Sequence, residues 1–291
     1  MVAAQFPDAG GEFPLLCLGE VTSVLDSALD LAKGGKLPLF GAVLADSQTM
    51  GRGQMRRRWH SPPGNLHLGV RLPADGIFAG TAASVRIGIV LAEVLGEFGF
   101  DVRVKWPNDL VVPSADGPGI PGKVGGVLLE DRGGALLAGI GINLLHAALP
   151  DPAPDGTSPD ASIPPGGSPF PPPLLPDAPP DPLPAAPTAD DHPALPPASL
   201  ASLGPEVPER IILCGSIVKA LNSAYSLETA LPDQWLLRAR RLLLWLGETV
   251  VLADGPERVR GRLSGVTREG ALLIDAGGTP REFTGGTLRK E

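Results

Sequence analysis

The sequence is poor in cysteine, in aromatic side chains and in positive charge. Its 291 residues include two cysteines, Cys17 and Cys214, and 4% aromatic residues. Two cysteines are too few for a disulfide framework, and they lack the paired spacing of a zinc site. We therefore expect a reducing compartment and place the protein in the cytoplasm.

The shortage of positive charge limits the kinds of partner. The net charge is −8 and the isoelectric point is about 5.1. Domains whose main activity is to bind nucleic acid carry a basic face or stripe. We therefore expect no nucleic-acid partner, and any contact with a polyanion should be confined to a small part of the surface.

Long apolar runs are also missing. No run reaches the length of a bilayer span. The segment Met1–Phe13 has neither the basic region nor the continuous apolar core of a secretory signal, so we expect no membrane association. Hydrophobic residues nevertheless make up 43% of the chain, which is enough for a sizeable core in about two domains.

Proline is concentrated in one part of the chain. Residues 151–200 contain 18 of the 34 prolines, a density that regular helices and sheets do not tolerate. We predict a disordered or partly polyproline-II insertion at about residues 149–196, within a catalytic domain of residues 1–246. A docking site for a proline-reading domain is the alternative for this insertion.

The remaining pattern alternates between helix and strand signals, which predicts an α/β (α+β) fold class. Helices are predicted over Val24–Ala32, Ala82–Phe98, Pro208–Ser226 and Leu231–Leu243. Strands are predicted over Pro14–Glu20, Leu39–Ala45, Asn65–Arg71 and Val102–Lys105, followed by a hairpin of Gly122–Glu130 and Ala135–Asn143. Short strands separated by glycine turns predict a small C-terminal β-barrel module of residues 247–291.

One stretch carries an unusual local charge. Gly51–His60, which we call the arginine loop, contains Arg52, Arg56, Arg57 and Arg58. Glycines on both sides of Arg52 allow the backbone to approach a ligand closely, and guanidinium groups are forked donors suited to phosphate or carboxylate. The loop is therefore a candidate anion-binding site. A solvated basic turn is the alternative.

Four motifs occur in an order that resembles biotin protein ligases. They are the Gly-Arg-Gly loop ending in Trp59, the Lys-Trp-Pro-Asn-Asp block of Lys105–Asp109, the strand with Lys123, and the Gly-Ile-Gly-Ile-Asn run of Gly139–Asn143. The resemblance covers nearly the whole chain except the proline-rich insertion. It implies a mixed-sheet catalytic domain of the biotin/lipoate ligase type and an SH3-like C-terminal barrel.

The resemblance also implies a two-step reaction. Biotin and ATP, as its Mg²⁺ complex, would give biotinyl-5′-AMP, and a lysine of a biotin carrier protein would then displace AMP. The implied partner is a carrier domain of acetyl-CoA carboxylase or a related carboxylase. Because no winged-helix segment precedes Cys17, the chain resembles the shorter family members, and we expect no repressor role. The expected assembly is a monomer or a homodimer.

Residues at matching positions receive roles from the resemblance. Lys123 and Arg52 are the implied catalytic residues, because both would touch the biotin carboxylate and the phosphate. Biotin binding is implied for Thr22, Gln48, Gly51, Arg52, Lys123, Gly126, Gly139 and Gly141. Nucleotide binding is implied for Arg57, Trp59, Asn108, Asp109 and Asn143. Trp59 would pack on the adenine after the loop closes, and Asn143 would contact the edge of the adenine. No metal ligand is assigned.

The arginine loop departs from the family pattern. Gln54, Met55 and Arg56 occupy the fourth to sixth places of a loop that often reads Gly-Arg-Gly-Arg-Arg-Gly-Arg. Arg56 replaces a glycine and removes a flexible joint, and we expect Arg57 to act as the last loop arginine. Val21 stands where the family often has serine. These departures affect how tightly the loop would retain the adenylate.

Three other functions compete with this interpretation. A lipoyl or octanoyl transferase belongs to the same superfamily, but the Lys105–Asp109 block and the terminal barrel argue against it. A non-catalytic sensor of biotin or adenylate is expected to lack Lys123 or Arg52. A nucleic-acid binder that uses the loop arginines would show salt-sensitive binding.

Overall fold

The computed structural model describes residues 2–5, 13–113, 119–147, 195–231 and 233–291. Nearly all of the predicted insertion at residues 149–196 lies outside the described residues. The predicted α/β fold class is confirmed, with two sheets and four α-helices in the described part of the chain.

The larger sheet has eight strands. They are β1 (Val2–Gln5), β2 (Pro14–Val21), β3 (Ala42–Gln48), β4 (Leu66–Leu72), β5 (Arg103–Lys105), β6 (Asp109–Val112), β7 (Gly122–Arg132) and β8 (Ala135–Ile142). Their order in the sheet is β1-β2-β3-β4-β8-β7-β6-β5. β2 and β3 are parallel and all other neighbours are antiparallel, so the sheet is mixed, as the resemblance implied.

Helices cover both faces of this sheet. They are α1 (Val24–Lys33), α2 (Ala83–Glu97), α3 (Arg210–Ala230) and α4 (Gln234–Leu242). Buried residues of α1 recur at helical spacing and form a core with β3 and β8 on one face. α2 and α3 belong to a larger core on the other face, where α2 also contacts β5, β6 and β7.

The C-terminal part of the chain forms a second sheet. Its strands are β9 (Thr249–Asp254), β10 (Glu257–Val266), β11 (Leu272–Ala276), β12 (Thr279–Phe283) and β13 (Thr287–Lys290). The order is β12-β11-β10-β9-β13, with antiparallel pairs throughout. The predicted all-β character is confirmed. Within the described residues β12 and β13 are the ends of the order, so hydrogen bonds do not close this sheet into a barrel.

The two sheets share one core. Buried residues of the second sheet, such as Val250 and Leu272, belong to the same hydrophobic cluster as those of α2 and α3. The division of the chain at residue 247 stays a prediction, but the apolar contacts across it are continuous.

Several element boundaries differ from the prediction. β3 begins at Ala42 instead of Leu39, because Phe40 adopts a φ of 59° in a turn before the strand. β1, β6 and β13 were not predicted. Each has only four residues, and each is defined by its hydrogen bonds to a strand that is distant or reversed in the chain. None of the described helices combines the length and apolarity needed to cross a bilayer.

Candidate active site

α1 and the arginine loop lie side by side on one face of β8. A Cβ atom on Gly139 would meet Leu25 Cδ1 of α1 at 3.0 Å, and a Cβ atom on Gly141 would meet the Trp59 indole at 2.7 Å. Residues two apart on a strand point to the same face. Glycine at both positions therefore allows the helix and the loop to lie directly on the sheet. Gly139 has a packing role, and its predicted contact with biotin stays a prediction.

Gln48 fixes the base of the arginine loop. Its Oε1 accepts a hydrogen bond from the backbone N–H of Val24, the first residue of α1, at 2.9 Å, and its Nε2 donates one to Ser61 Oγ at 2.8 Å. Gly51 is buried beside them. A Cβ atom there would lie 2.4 Å from the Trp59 carbonyl oxygen and 2.6 Å from Ser61 Oγ. Any side chain at Gly51 would therefore displace the loop.

Gly126 and Gly141 pair with each other across β7 and β8 and form a part of the sheet that carries no side chains of its own, which we call the bare patch. A Cβ built on Gly126 would be in ordinary van der Waals contact with the Asn108 carbonyl oxygen at 3.5 Å, Lys123 Cε at 3.8 Å and Asp109 Oδ1 at 3.9 Å, while the Trp59 indole lies directly over Gly141. Thr22, another predicted biotin contact, is exposed where β2 leads into α1, and its carbonyl oxygen accepts a hydrogen bond from the Met50 N–H at 2.9 Å. The roles of Thr22 and Gly126 toward biotin stay predictions.

Trp59 and Lys123 meet over this bare patch. Lys123 Nζ lies 5.5 Å from the centroid of the Trp59 ring, within the range of a cation–π contact. Trp59 Nε1 is buried and has no hydrogen-bond partner among the described residues. An aromatic ring of this size is suited to stacking on a nucleobase. The predicted contact of Trp59 with adenine stays a prediction.

One carboxylate lies between two lysines at the end of the Lys105–Asp109 block. Lys123 Nζ is 2.6 Å from Asp109 Oδ1, and Lys105 Nζ is 3.5 Å from Asp109 Oδ2. Burial lowers the pKa of Lys105, while Asp109 acts in the opposite direction. Two ammonium groups with a single carboxylate leave an excess of positive charge. An anionic ligand would find favourable electrostatics here.

Arg52, near the start of the arginine loop, is held by acidic residues of α1 and β7. Its two terminal nitrogens donate to both oxygens of Asp26 on α1, at 2.8 and 2.9 Å, and its Nε lies 3.5 Å from Glu130 Oε1 on β7. Arg132 Nη1 joins the same cluster, 2.7 Å from Asp26 and 3.0 Å from Glu130. The hydrogen bonds from Arg52 lower the pKa of Asp26 to about 2, and Asp26 in turn raises the pKa of Arg52.

The two predicted catalytic residues therefore have different partners in this structure. Lys123 is paired with Asp109, and Arg52 with Asp26 and Glu130. Glu130 lies four residues beyond Gly126 on β7, which corresponds to about 13 Å along the strand. The predicted role of Arg52 beside Lys123 would require the arginine to leave these carboxylates, and that role stays a prediction.

Two asparagines that are predicted to contact the nucleotide donate hydrogen bonds to backbone carbonyls around the bare patch. Asn108 Nδ2 donates to the Val127 carbonyl at 2.9 Å. Asn143 is buried, and its Nδ2 donates to the Ala198 carbonyl at 3.0 Å and lies 3.4 Å from the Lys123 carbonyl. These bonds fix the backbone around the bare patch. The predicted contacts of both residues with nucleotide stay predictions.

The rest of the arginine loop projects outward. The backbone pairs at Arg52 and Arg58, and Met55 lies at the tip with a φ of 55°. Arg57 is exposed. Its predicted contact with the nucleotide, from a loop that closes, stays a prediction. The backbone of Arg56 forms part of a single 3₁₀ turn over Gln54–Arg56.

Sequence patterns missed several residues of this region. The sequence analysis assigned no role to Asp26 or Glu130, and no spacing signal shows that they would meet Arg52. His67 was also missed. It is buried on β4 opposite Gly141, burial lowers its pKa, and its Nε2 lies 3.0 Å from the Pro62 carbonyl oxygen.

Comparison with known proteins agrees with this geometry. Residues 30–146 match the profile of the Biotin/lipoate A/B protein ligase family. The match covers about two fifths of the chain. It includes the arginine loop, the Lys105–Asp109 block and Lys123, so the resemblance that these motifs indicated is confirmed.

Curated relatives match the same part of the chain. The "Bifunctional ligase/repressor BirA" of Escherichia coli is 40% identical over 135 residues, which cover 43% of this chain and 40% of the relative. The protein of the same name from Bacillus subtilis is 35% identical over 128 residues, which cover 43% and 38%. The chain thus spans about two fifths of the length of the curated relatives it matches.

Solved structures extend the similarity of fold to nearly the whole chain. A biotin protein ligase from Aquifex aeolicus in complex with biotin and ATP superimposes with a TM-score of 0.68 at 22% identity, and the match covers 95% of this chain and 99% of that one. A biotin protein ligase from Leishmania major in complex with biotin gives a TM-score of 0.56 at 20% identity, covering 92% and 97%. At these identities the likeness establishes the fold.

Replacing Asp26 by Asn should loosen the arginine loop, because the substitution removes the negative charge of the carboxylate to which both terminal nitrogens of Arg52 donate. We expect trypsin to cut after Arg56, Arg57 or Arg58 about two to five times faster in D26N than in the wild type, the factor that corresponds to an exposed ion pair of up to about 1 kcal/mol. Mass spectrometry of timed digests locates the cut.

Asp30, exposed on the same helix, supplies the matched control D30N, which should digest like the wild type. Since the pKa of Asp26 is lowered to about 2, its contribution is present above the ordinary pKa of an aspartate and is lost only as the pH falls toward 2. The difference between D26N and the wild type should therefore be the same at pH 6 and pH 8. Equal cleavage of the two proteins would refute the role of Asp26.

Proposed function

We propose that the protein is an ATP-dependent biotin protein ligase. The observation that supports this most directly is the lysine and tryptophan pair, Lys123 and Trp59, above the glycine patch of Gly126 and Gly141. Biotin is a compact bicyclic group with a carboxylate at the end of an apolar chain. Such a ligand requires a bare surface for its rings and a cation for its carboxylate. The biotin and ATP named for the Aquifex aeolicus structure support the same substrates.

The first step joins two anions. A carboxylate oxygen of biotin attacks the α-phosphorus of ATP, the bond to the β-phosphate oxygen breaks, and pyrophosphate leaves. Catalysis therefore consists of holding the two anions in line and offsetting their repulsion. Lys123 can offset this charge from its present position, and Arg52 can add a second cation after it leaves Asp26.

The second step transfers biotin to a lysine. The ε-amine of that lysine attacks the carbonyl carbon of biotinyl-5′-AMP, the carbon–oxygen bond to phosphate breaks, and AMP leaves while the amine loses a proton. We propose that the acceptor is a biotin carrier domain of acetyl-CoA carboxylase or a related carboxylase. The reaction would take place in the cytoplasm, by a monomer or a homodimer.

Magnesium would reach this site as part of the nucleotide. No group of three or more His, Cys, Asp or Glu residues that could hold a metal occurs among the described residues. Mg²⁺ commonly binds through one carboxylate and the substrate phosphates, and Asp109 is the carboxylate nearest to Lys123. When bound, the ion would neutralise phosphate charge.

We also propose that the protein has no transcriptional repressor role, although its curated relatives are named as repressors as well as ligases. The net charge of −8 supports this, and so does the engagement of Arg52 with Asp26 and Glu130. A DNA-binding face would need unpaired cations in a row.

The main test is to incubate the purified protein with biotin, MgATP and an apo biotin-carrier domain, and to measure the mass of the carrier. We expect the mass to increase by one biotinyl group. The variant K123Q should form biotinyl-5′-AMP at least about 100-fold more slowly, because it lacks the cation at the reacting centre. K36Q, which changes an exposed lysine, should behave like the wild type.

A carrier that gains no mass, when a competent ligase modifies it in parallel, would end the proposal. A lipoyl carrier that gains a lipoyl group instead would favour the lipoyl transferase.

Removal of magnesium tests how the metal reaches the site. Excess EDTA should abolish adenylate formation, and added Mg²⁺ should restore it. Without ATP, calorimetry should detect no Mg²⁺ binding to the protein at micromolar concentrations, since the described residues offer no complete set of ligands. Tight binding of Mg²⁺ by the protein alone would show that the protein has a metal site of its own.

DNA binding tests the proposed lack of a repressor role. Fluorescence anisotropy with double-stranded DNA at 50 and 200 mM salt should show no specific complex, with or without biotinyl-5′-AMP. Sequence-specific binding that weakens steeply with salt would contradict this part of the proposal.

A further inference from the structure

We infer that the C-terminal sheet positions the reacting groups of the catalytic domain through one turn, residues 268–270, with Trp106 as the positioning residue. The inference rests on the proposed ligase function. It assigns to the second sheet a part in the first chemical step, and it follows from contacts that lie outside the arginine loop and the glycine patch.

Three consecutive carbonyls of this turn accept hydrogen bonds from side chains of the catalytic domain. Arg86 Nη2 donates to the first at 3.1 Å, Thr81 Oγ1 to the second at 2.5 Å, and Trp106 Nε1 to the third at 2.9 Å. Backbone oxygens, not side chains, are recognised. The contact therefore depends on the path of the turn and on how closely it approaches.

Gly270 sets that approach. Its φ is +84°, and a Cβ atom built on it would lie 2.4 Å from Ala82 Cα, just before the first residue of α2. No side chain fits at this distance. Gly277, in the turn between β11 and β12, has a similar φ of +69° but no atom within 4 Å of a Cβ. The two glycines have the same backbone requirement, and of the two Gly270 is the one in contact with the catalytic domain.

Trp106 connects this contact to the site. It is 2% exposed, and it lies in the turn that connects the largely buried Lys105, at the end of β5, to Asp109, the first residue of β6. The Asp109 carboxylate holds the Lys123 ammonium at 2.6 Å. A shift of the indole would therefore move the residues that place Lys123.

The chain that leads to the second sheet holds the same block from another side. The Leu244 N–H donates to the Val104 carbonyl at 2.9 Å, and Leu243 forms a parallel bridge with Val104 on β5. Through both contacts, the position of the second sheet affects the position of the Lys105–Asp109 block. Gln48 and Gly141, two of the predicted biotin contacts, lie on β3 and β8 and have no such link in these contacts, whereas Lys123 and Gly126, two others, are next to Asp109.

Incorrect seating of the second sheet should therefore slow the chemical step far more than it weakens biotin binding, because Lys123 is one of several predicted biotin contacts. The variant G270A forces the turn away from α2, and W106F keeps the aromatic ring but removes the donor. For both we expect the single-turnover rate of biotinyl-5′-AMP formation, at saturating biotin and ATP, to fall about 10- to 100-fold, the range for a small displacement of a catalytic group. The Kd for biotin should stay within about twofold of the wild-type value.

G277A is the matched control, and it should retain both the wild-type rate and the wild-type Kd. Circular dichroism and thermal melts establish that each variant is folded, and W106F keeps the test informative if G270A does not fold. A wild-type protein that forms no adenylate would contradict the proposed function. An active wild type with G270A and W106F at the wild-type rate would overturn this inference alone. So would a parallel loss of biotin affinity, or an equal loss of rate in G277A.

Discussion

The Asp109 carboxylate, held between two lysine ammonium groups, is the interaction on which the candidate site depends. Lys105 is nearly enclosed, and a buried charge that loses its partner typically costs about 3–5 kcal/mol. Asp109 therefore has to remain beside Lys105 for the block to fold, and in that position it also orients Lys123. The same carboxylate stabilises the fold and fixes the reactive cation. Since it neutralises only one of the two ammonium groups, the positive charge that attracts an anion is a consequence of how the block folds.

The charge on Arg52 is balanced in the opposite way. Two carboxylates, Asp26 and Glu130, face two guanidinium groups, Arg52 and Arg132, so this cluster has no net charge. An anion near these two clusters is attracted more strongly to the lysine pair, where positive charge is in excess. Only after it binds there does Arg52 gain a competing partner. The two clusters thus favour an order in which the ligand binds before the arginine loop rearranges.

Sequence reasoning was most successful where the chemistry is carried by local motifs. The α/β fold class, α1, α2, the hairpin of β7 and β8, and the all-β C-terminal part follow from periodicity and glycine turns, whereas the mixed sheet was implied by the family resemblance. The sequence also pointed to the glycines within β7 and β8, although not to the pairing of Gly126 with Gly141. The sequence did not show contacts between distant residues. Examples are the hydrogen bonds from Arg52 to Asp26 and the hydrogen bond from Trp106 to the turn at residues 268–270. Such contacts depend on how elements pack, and an exposed-looking acid on an amphipathic helix has no periodic signal for its partner. The same reasoning treated the C-terminal part as a separate module, whereas its apolar residues complete the core of the catalytic domain.

The departures of the arginine loop from its family pattern affect the energy of its two states. Met55 adopts a φ of 55°, in a region that costs a residue with a side chain roughly 1–2 kcal/mol, and its side chain is exposed, so burial does not offset that cost. The ion pair of Arg52 with Asp26 contributes up to about 1 kcal/mol at this degree of exposure. The two terms are of similar size and opposite sign, so they largely offset each other, and the loop is also held by the packing of Trp59 on Gly141 and by hydrogen bonds of Gln48 and of its own backbone. Under the proposed function, an adenylate phosphate would supply a new anionic partner for Arg52. The ion pair of Arg52 with Asp26 and the strained Met55 would then together make the loop responsive to ligand, even though Arg56 replaces the flexible glycine of the family pattern.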